Sequence, residues 1–235
     1  MPILSAVGLA IGSSSAKAHI ALRCDFSMHH LRAAAQAARE AYNVEQSNPP
    51  QHGKCFDDML RLVPVSVTMA GAALESNANE IVQDILDGTT KIAGLEITEN
   101  ERQRLEGLKD VRFGNSTDRY RALASIVGKQ LKTGNSVWEQ AGYLVKFRNV
   151  FMHFKPAWSH EDVHDSDLVR ALKRKRVPIA PGYRPPNEFH FPYGFMTYGC
   201  AKWSVQTALD FSKSYAAILR VRDRFADSPN DYALP

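Results

Sequence analysis

Arg148, Asn149 and His153 are the residues of this sequence whose types and spacing could do chemistry. They lie in the run Arg148-Asn149-Val150-Phe151-Met152-His153. An imidazole exchanges a proton near neutral pH. A guanidinium keeps its charge and can hold it against phosphate oxygens. Together they suit metal-free cleavage of RNA, in which a 2′-hydroxyl must lose a proton and a charged phosphorane must be stabilised. Asn149 and His153 are a helical turn apart and so neighbours, and Lys146 falls close to His153 on the same flank. Spacing alone leaves a plainer alternative open. The arginine could neutralise a buried carboxylate, and the histidine could interact with the free carbonyls of a helix end.

The element that must position these groups runs from Ser136 to Lys155. Ser136-x-x-Glu139 has the form of a capping box, and Pro156 forbids continuation. With Ala141 at zero and about 100° per residue, Val137, Trp138, Leu144, Val145, Phe151 and Met152 form an apolar stripe. Arg148 falls only about 20° from the centre of that stripe. A charge that cannot be discarded must there be paired, or line a water-filled cleft. An earlier stretch, Leu74 to Ile81, offers a partner. It carries Glu75 and Asn79 one turn apart, on the edge of a stripe of Leu74, Ala78 and Ile85. Glu75 is expected to pair with Arg148 and hold its orientation; ordinary helix–helix hydrogen bonding is the alternative for both residues.

Helical signals dominate the rest of the chain. Helices are expected over about 26–45, over 56–87 with a bend at Pro64 and a stop at Gly88, and from Thr98-x-x-Glu101 to about Asp110. Asn115 is expected to cap another helix, which carries Tyr120, Leu123, Ile126, Val127 and Leu131, and the last helix spans about 200–226. Strand patterning is nearly absent, apart from a short possibility around Phe189–Phe195. Residues 156–199 are rich in Pro, Gly, aromatics and charge, with one short helix expected from about His160 to Lys175. The chain therefore reads as a single all-α domain, a helical bundle with core helices at about 26–155 and 200–226. A long irregular basic and aromatic insertion, about 156–199, precedes the last helix.

Arg148-Asn149-x-x-x-His153, late in a capped amphipathic helix of an all-helical chain, resembles the Arg, polar residue, three-residue spacer, His signature of the HEPN superfamily. Trp158 shortly afterwards adds to the likeness, which covers residues 56–88 and 115–158, under half of the chain. Glu75 and Asn79 resemble the acidic and amide residues that many of these proteins carry on an earlier helix. The resemblance implies a homodimer whose motif helices face one another across one cleft. It implies a metal-independent endoribonuclease without a cofactor, of the kind found in toxin–antitoxin and phage-defence systems. His153 would be the acid/base group, Arg148 the cation for the phosphorane and Asn149 an orienting group. Some members instead bind a nucleotide or a partner protein without catalysis, so an antitoxin or nucleotidyltransferase partner is also implied.

Two further segments carry charge or metal-ligand types. Between Leu168 and Asn187 lie Arg170, Lys173, Arg174, Lys175, Arg176 and Arg184 with no acid, followed by Phe189, Phe191, Tyr193 and Phe195. Cations beside aromatics can track phosphates and stack bases, so this cluster is the expected RNA-binding surface; a solvated helix end is the plain reading. His160-Glu161-Asp162-Val163-His164 matches the zinc-hydrolase pattern H-E-x-x-H. Asp162, Asp165 and Asp167 give it the look of a solvated first turn, which makes it the remote alternative. Hydrophobic content of 44% and charged content of 23% over 235 residues are ordinary for a globular protein, and the net charge of +4 is a mild excess that gains meaning only where it is clustered. Three widely spaced cysteines without a C-x-x-C point to a reducing compartment. The apolar stretch at 3–12 lacks the preceding Lys or Arg of a secretion signal, so a cytoplasmic location without a membrane span is expected.

Overall fold

The computed structural model describes residues 23–47, 54–88, 95–132, 134, 136–155, 166–178 and 191–235. These residues form α1 (Ser27–Ser47), α2 (Lys54–Asp87), α3 (Glu99–Leu108), α4 (Ser116–Ile126), α5 (Ser136–Met152), α6 (Ser166–Arg174) and α7 (Tyr198–Leu219). Short 3-10 turns lie at Tyr193–Phe195, Arg224–Asp227 and Pro229–Tyr232. No strand occurs among the described residues, and no helix among them is long and apolar enough to cross a membrane.

The bundle is built on α1, α2 and α7, with α5 laid across α2 and α7. Small side chains set this arrangement. α1 buries Ala34, Ala35, Ala38 and Ala41, and α2 buries Ala70, Gly71, Ala73 and Ala78, so helix axes can approach closely. Larger side chains fill the far side of α7. Tyr120 meets Phe211 and Tyr215 edge-on at 4.8 and 4.6 Å between ring centroids, and Trp138 meets Phe211 at 4.7 Å. Burial is affordable for the hydroxyls because each finds a partner. Tyr120 donates to the Leu74 carbonyl at 2.6 Å, and Tyr215 to the Tyr120 carbonyl at 3.0 Å. Burial drives both phenols well above their ordinary pKa, so they stay neutral donors.

Local signals end the helices. Thr98 and Glu101 form the expected capping box on α3, and the Asn115 side chain accepts from Thr117 N–H at 3.0 Å on α4. Gly88 ends α2 with φ 62°, and Pro64 lies within that helix. Two expected ends move inward. α4 stops at Ile126, before Leu131, where Gly128 takes φ 67°. α7 stops at Leu219 instead of running to 226, because Arg220 adopts a left-handed conformation with φ 60°.

α1 is capped from another helix. The Glu80 carboxylate of α2 accepts from the Phe26 and Ser27 N–H groups, each at 2.8 Å. Beside it, Arg224 pairs with Asp84 and, at 2.7 Å, with Asp25, while Arg23 reaches Asp84 at 2.9 Å. Both flanks of the described chain are thereby clasped to the end of α2. The C-terminal segment then lies on α1, where Asp231 pairs with Arg32 at 2.7 Å.

Within the expected insertion the described residues include the short helix expected there, α6, and they add side chains to the core. α6 buries Leu168, Ala171 and Leu172, and Phe191, Phe195 and Met196 are core residues. Their target is Phe147, whose ring stands 5.8 Å from Phe191 and 5.5 Å from Phe195. The possible strand near 189–195 is, over its described residues, a turn followed by the 3-10 turn Tyr193–Phe195. Pro and Gly density marks irregular backbone, yet that backbone carries aromatics that cover α5.

Candidate functional site

α5 crosses α2 at a glycine. A Cβ on Gly71 would lie 3.0 Å from Arg148 Cγ and 3.1 Å from Arg148 Cβ, so the arginine stem lies against bare α2 backbone and an added methyl would push it by a few tenths of an ångström. From there the guanidinium extends one turn along α2. Its Nη2 donates to Glu75 Oε2 at 2.9 Å, and its Nη1 donates to Asn149 Oδ1 at 3.1 Å. Its Nε is buried and makes no hydrogen bond among the described residues. Arg148 is thus held at both terminal nitrogens, with its side chain about a quarter exposed.

His153 follows the helix directly. α5 ends at Met152, earlier than the expected Lys155, and the His153 N–H donates to the Asn149 carbonyl at 3.0 Å. The imidazole is exposed, one turn beyond Asn149. A fixed cation, an amide and a solvent-reachable proton carrier therefore share one end of α5. Lys146 is exposed as well, but its ammonium lies over the Tyr143 ring at 6.0 Å.

The apolar stripe of α5 keeps its expected centre near Ala141 but differs at two positions. Trp138, Ala141, Leu144, Val145 and Phe147 are buried, whereas Met152 is 57% exposed. Phe147 lies outside the expected arc and is buried because Phe191 and Phe195 cover it. Met152 lies inside the arc and is exposed because the last turn of α5 projects beyond the core. Met152 and Phe154 leave apolar surface beside His153.

Other expected residues separate from this centre. Asn79 is one turn beyond Glu75 on the same ridge of α2, exposed, and lines a different hollow with Lys109 and Arg119. Of the basic cluster, Arg170 pairs with Asp167, just before the acid-free run. Lys175 is half-buried and pairs with Glu139 at 2.6 Å, which docks α6 on the start of α5. Glu139 is therefore committed to α6. Arg174 and Arg176 are exposed, as is Lys173. Arg184, together with His160, Glu161 and His164, lies outside the described residues. Among the described residues no group of three His, Cys, Asp or Glu side chains is arranged to hold a metal ion.

Two residues of the neighbourhood escape sequence reasoning. Gly71 had a signal, a lone glycine inside a helix where alanine would be more stable. Arg119 of α4 had none. Its guanidinium stands 5.0 Å over the Phe113 ring, and donates to the Val111 carbonyl at 2.8 Å. Partial burial pulls its pKa down and the nearby Glu75 carboxylate pulls it up, so Glu75 lies within the field of two guanidiniums. The chain matches no protein-family model, no curated protein and no solved structure.

Proposed function

We propose that the chain is a HEPN-like, metal-independent endoribonuclease with Arg148, Asn149 and His153 at its centre. The observation that carries this reading is the placement of Arg148. A guanidinium stem lies over Gly71, its head is held by Glu75 and Asn149 with a buried, unsatisfied Nε, and an exposed imidazole follows five residues later at the end of the same helix. In the reaction, a 2′-hydroxyl oxygen of RNA attacks the adjacent phosphorus and the 5′-oxygen leaves. His153 accepts the hydroxyl proton, and its protonated form can return a proton to the leaving oxygen. Arg148 holds the charge on the phosphorane oxygens, and Asn149 sets the guanidinium's orientation. The products are a 2′,3′-cyclic phosphate and a free 5′-hydroxyl. Substrate phosphate must draw Arg148 away from Glu75, whose carboxylate is half exposed and can return to water.

The same reading makes the chain a cytoplasmic homodimer with α5 at its seam, acting in toxin–antitoxin or phage-defence systems. Met152 and Phe154, 57% and 42% exposed beside His153, supply apolar surface for that contact. One observation favours a second reading, a non-catalytic module that binds a nucleotide or a partner such as an antitoxin or nucleotidyltransferase. Both terminal nitrogens of Arg148 are already engaged within the chain, as in a purely structural ion pair.

Purified protein with mixed RNA separates the two. Cleavage is expected to survive a chelator and to leave cyclic phosphate ends. His153→Ala is expected to lower the rate about a hundredfold or more, with stability changed by less than ~1 kcal/mol because the residue is exposed. A folded His153→Ala protein that cuts RNA at the parental rate would remove the ribonuclease reading. Activity lost to chelator and restored by zinc would transfer it to His160, Glu161 and His164.

A further inference from the structure

A hollow lies one turn along α2 from the Arg148–Glu75 pair. Its volume is about 340 Å³, and its walls include Arg23, Asp25, Asn79, Glu80, Lys109 and Arg119. The two carboxylates are already committed. Glu80 accepts the N–H groups that open α1, and Asp25 pairs with Arg23 at 2.8 Å and with Arg224 at 2.7 Å. Arg23 is neutralised in turn by Asp84 and Asp87. Two cations remain without an ion pair among the described residues. Lys109 is exposed, and Arg119 donates to the Val111 carbonyl and lies over the Phe113 ring but pairs with no carboxylate. The Asn79 amide, exposed and without a hydrogen-bond partner among the described residues, stands between them and the Arg148 centre.

One ridge of α2 joins the two places. Gly71 carries the Arg148 stem, Glu75 its guanidinium, and Asn79 the wall of the hollow, each about 6 Å further along the helix axis. Arg119 lines the hollow and lies within the field of the Glu75 carboxylate. A polyanion whose one phosphate lies at Arg148 would run along this ridge and bring a neighbouring phosphate to Lys109 and Arg119.

We propose that this hollow is a phosphate subsite for the RNA strand flanking the cut, with Lys109 and Arg119 as its cations and Asn79 as a neutral hydrogen-bonding wall. The proposal rests on the ribonuclease reading for the polarity of the strand and the position of the cut. It differs from that reading in where it places binding energy, since none of these three side chains touches the reacting atoms. Asn79 is neutral where a carboxylate would repel the strand. Lys109 lies at the end of α3, exposed, so its replacement leaves packing intact.

The test uses full-length His153→Ala protein, which holds RNA without cutting it, and a fluorescein-labelled single-stranded oligoribonucleotide of mixed sequence read by anisotropy. Lys109→Ala is expected to weaken binding and reduce the slope of log affinity against log salt by about 0.7, the loss of one phosphate contact. Lys109→Arg is expected to restore both. Asn79→Asp, which adds a charge at the wall, is expected to weaken binding about tenfold. Cys24 also lines the hollow and is exposed, whereas Cys55 and Cys200 are buried. Saturating RNA is therefore expected to slow alkylation of Cys24 by iodoacetamide. If the protein binds RNA but Lys109→Ala and Asn79→Asp match the parent in affinity and salt slope, or if RNA leaves Cys24 alkylation unchanged, the subsite is wrong and the Arg148–His153 reading stands. If the protein binds no RNA at all, the ribonuclease reading falls and the subsite with it.

Discussion

Two arginines sit in the walls of this bundle, and their surroundings differ in kind. Arg224 is 16% exposed and faces Asp25, Asp84 and Glu80, of which Asp84 and Glu80 are themselves only 10% and 9% exposed. Arg148 is 25% exposed and faces one carboxylate, Glu75, that is 48% exposed, together with an amide. Arg224 belongs to a closed set in which carboxylates and cations satisfy one another. Arg148 belongs to an open set with an unsatisfied Nε and a counter-ion that water can reach. A closed set fixes a fold, since removing any member strands a buried charge. An open set can exchange its counter-ion for a ligand at little cost to the fold.

The difference is easiest to break at Arg224. Arg224→Ala leaves Asp84 and Glu80 short of a cation, and is expected to cost about 3–5 kcal/mol in urea denaturation. Arg148→Ala should cost less, about 1–2 kcal/mol, because Glu75 regains water and only the stem's packing over Gly71 is lost. Equal costs would mean that Arg148 is as structural as Arg224. Arg148→Lys keeps the charge and loses the planar fork, so it should melt close to the parent and still cleave poorly.

A finer probe is Gly71→Ala. The alanine gains about 1 kcal/mol of helix propensity, and its methyl displaces the Arg148 stem. Stability should move little, while RNA cleavage should fall about tenfold through misplacement of the guanidinium. Unchanged cleavage would show that the register of Arg148 does not matter. The smallest effect on stability is expected at α6. Neutralising Lys173, Arg174 and Arg176, while leaving Lys175 to hold Glu139, should stay within ~0.5 kcal/mol of the parent and flatten the salt dependence of RNA binding. No change in salt slope would confine the RNA path to α2 and α5.

Helix types were legible because caps and periodicity are local. Thr98, Glu101, Asn115 and Gly88 act on residues within a turn of themselves, so their pattern survives in one dimension. The Glu75–Arg148 pair was legible for a related reason, since each residue breaks an otherwise apolar helical face. The burial of Phe147 was not, because its cover comes from Phe191 and Phe195 across a stretch whose Pro and Gly read as surface loop. The exposure of Met152 was hidden for the converse reason, since a periodic stripe does not say where the core ends. Arg119 and Lys109 carried no signal, because two cations on different helices converge only in three dimensions.

The clasp around Arg224 has a consequence for the order in which the molecule assembles. Arg224 meets Asp25 across 199 residues and Asp84 across 140, whereas α1 and α2 are joined by a short connection. Loop-closure entropy makes the α1–α2 hairpin the natural early nucleus and the clasp a late event. Until the chain after α7 arrives, Asp84 and Glu80 face one another without Arg224, and the Glu80 cap on α1 is the less firmly held. The segments carrying Arg23 and Arg224 are therefore expected to open together with the start of α1, and hydrogen exchange there should be faster than at the α2–α5 crossing.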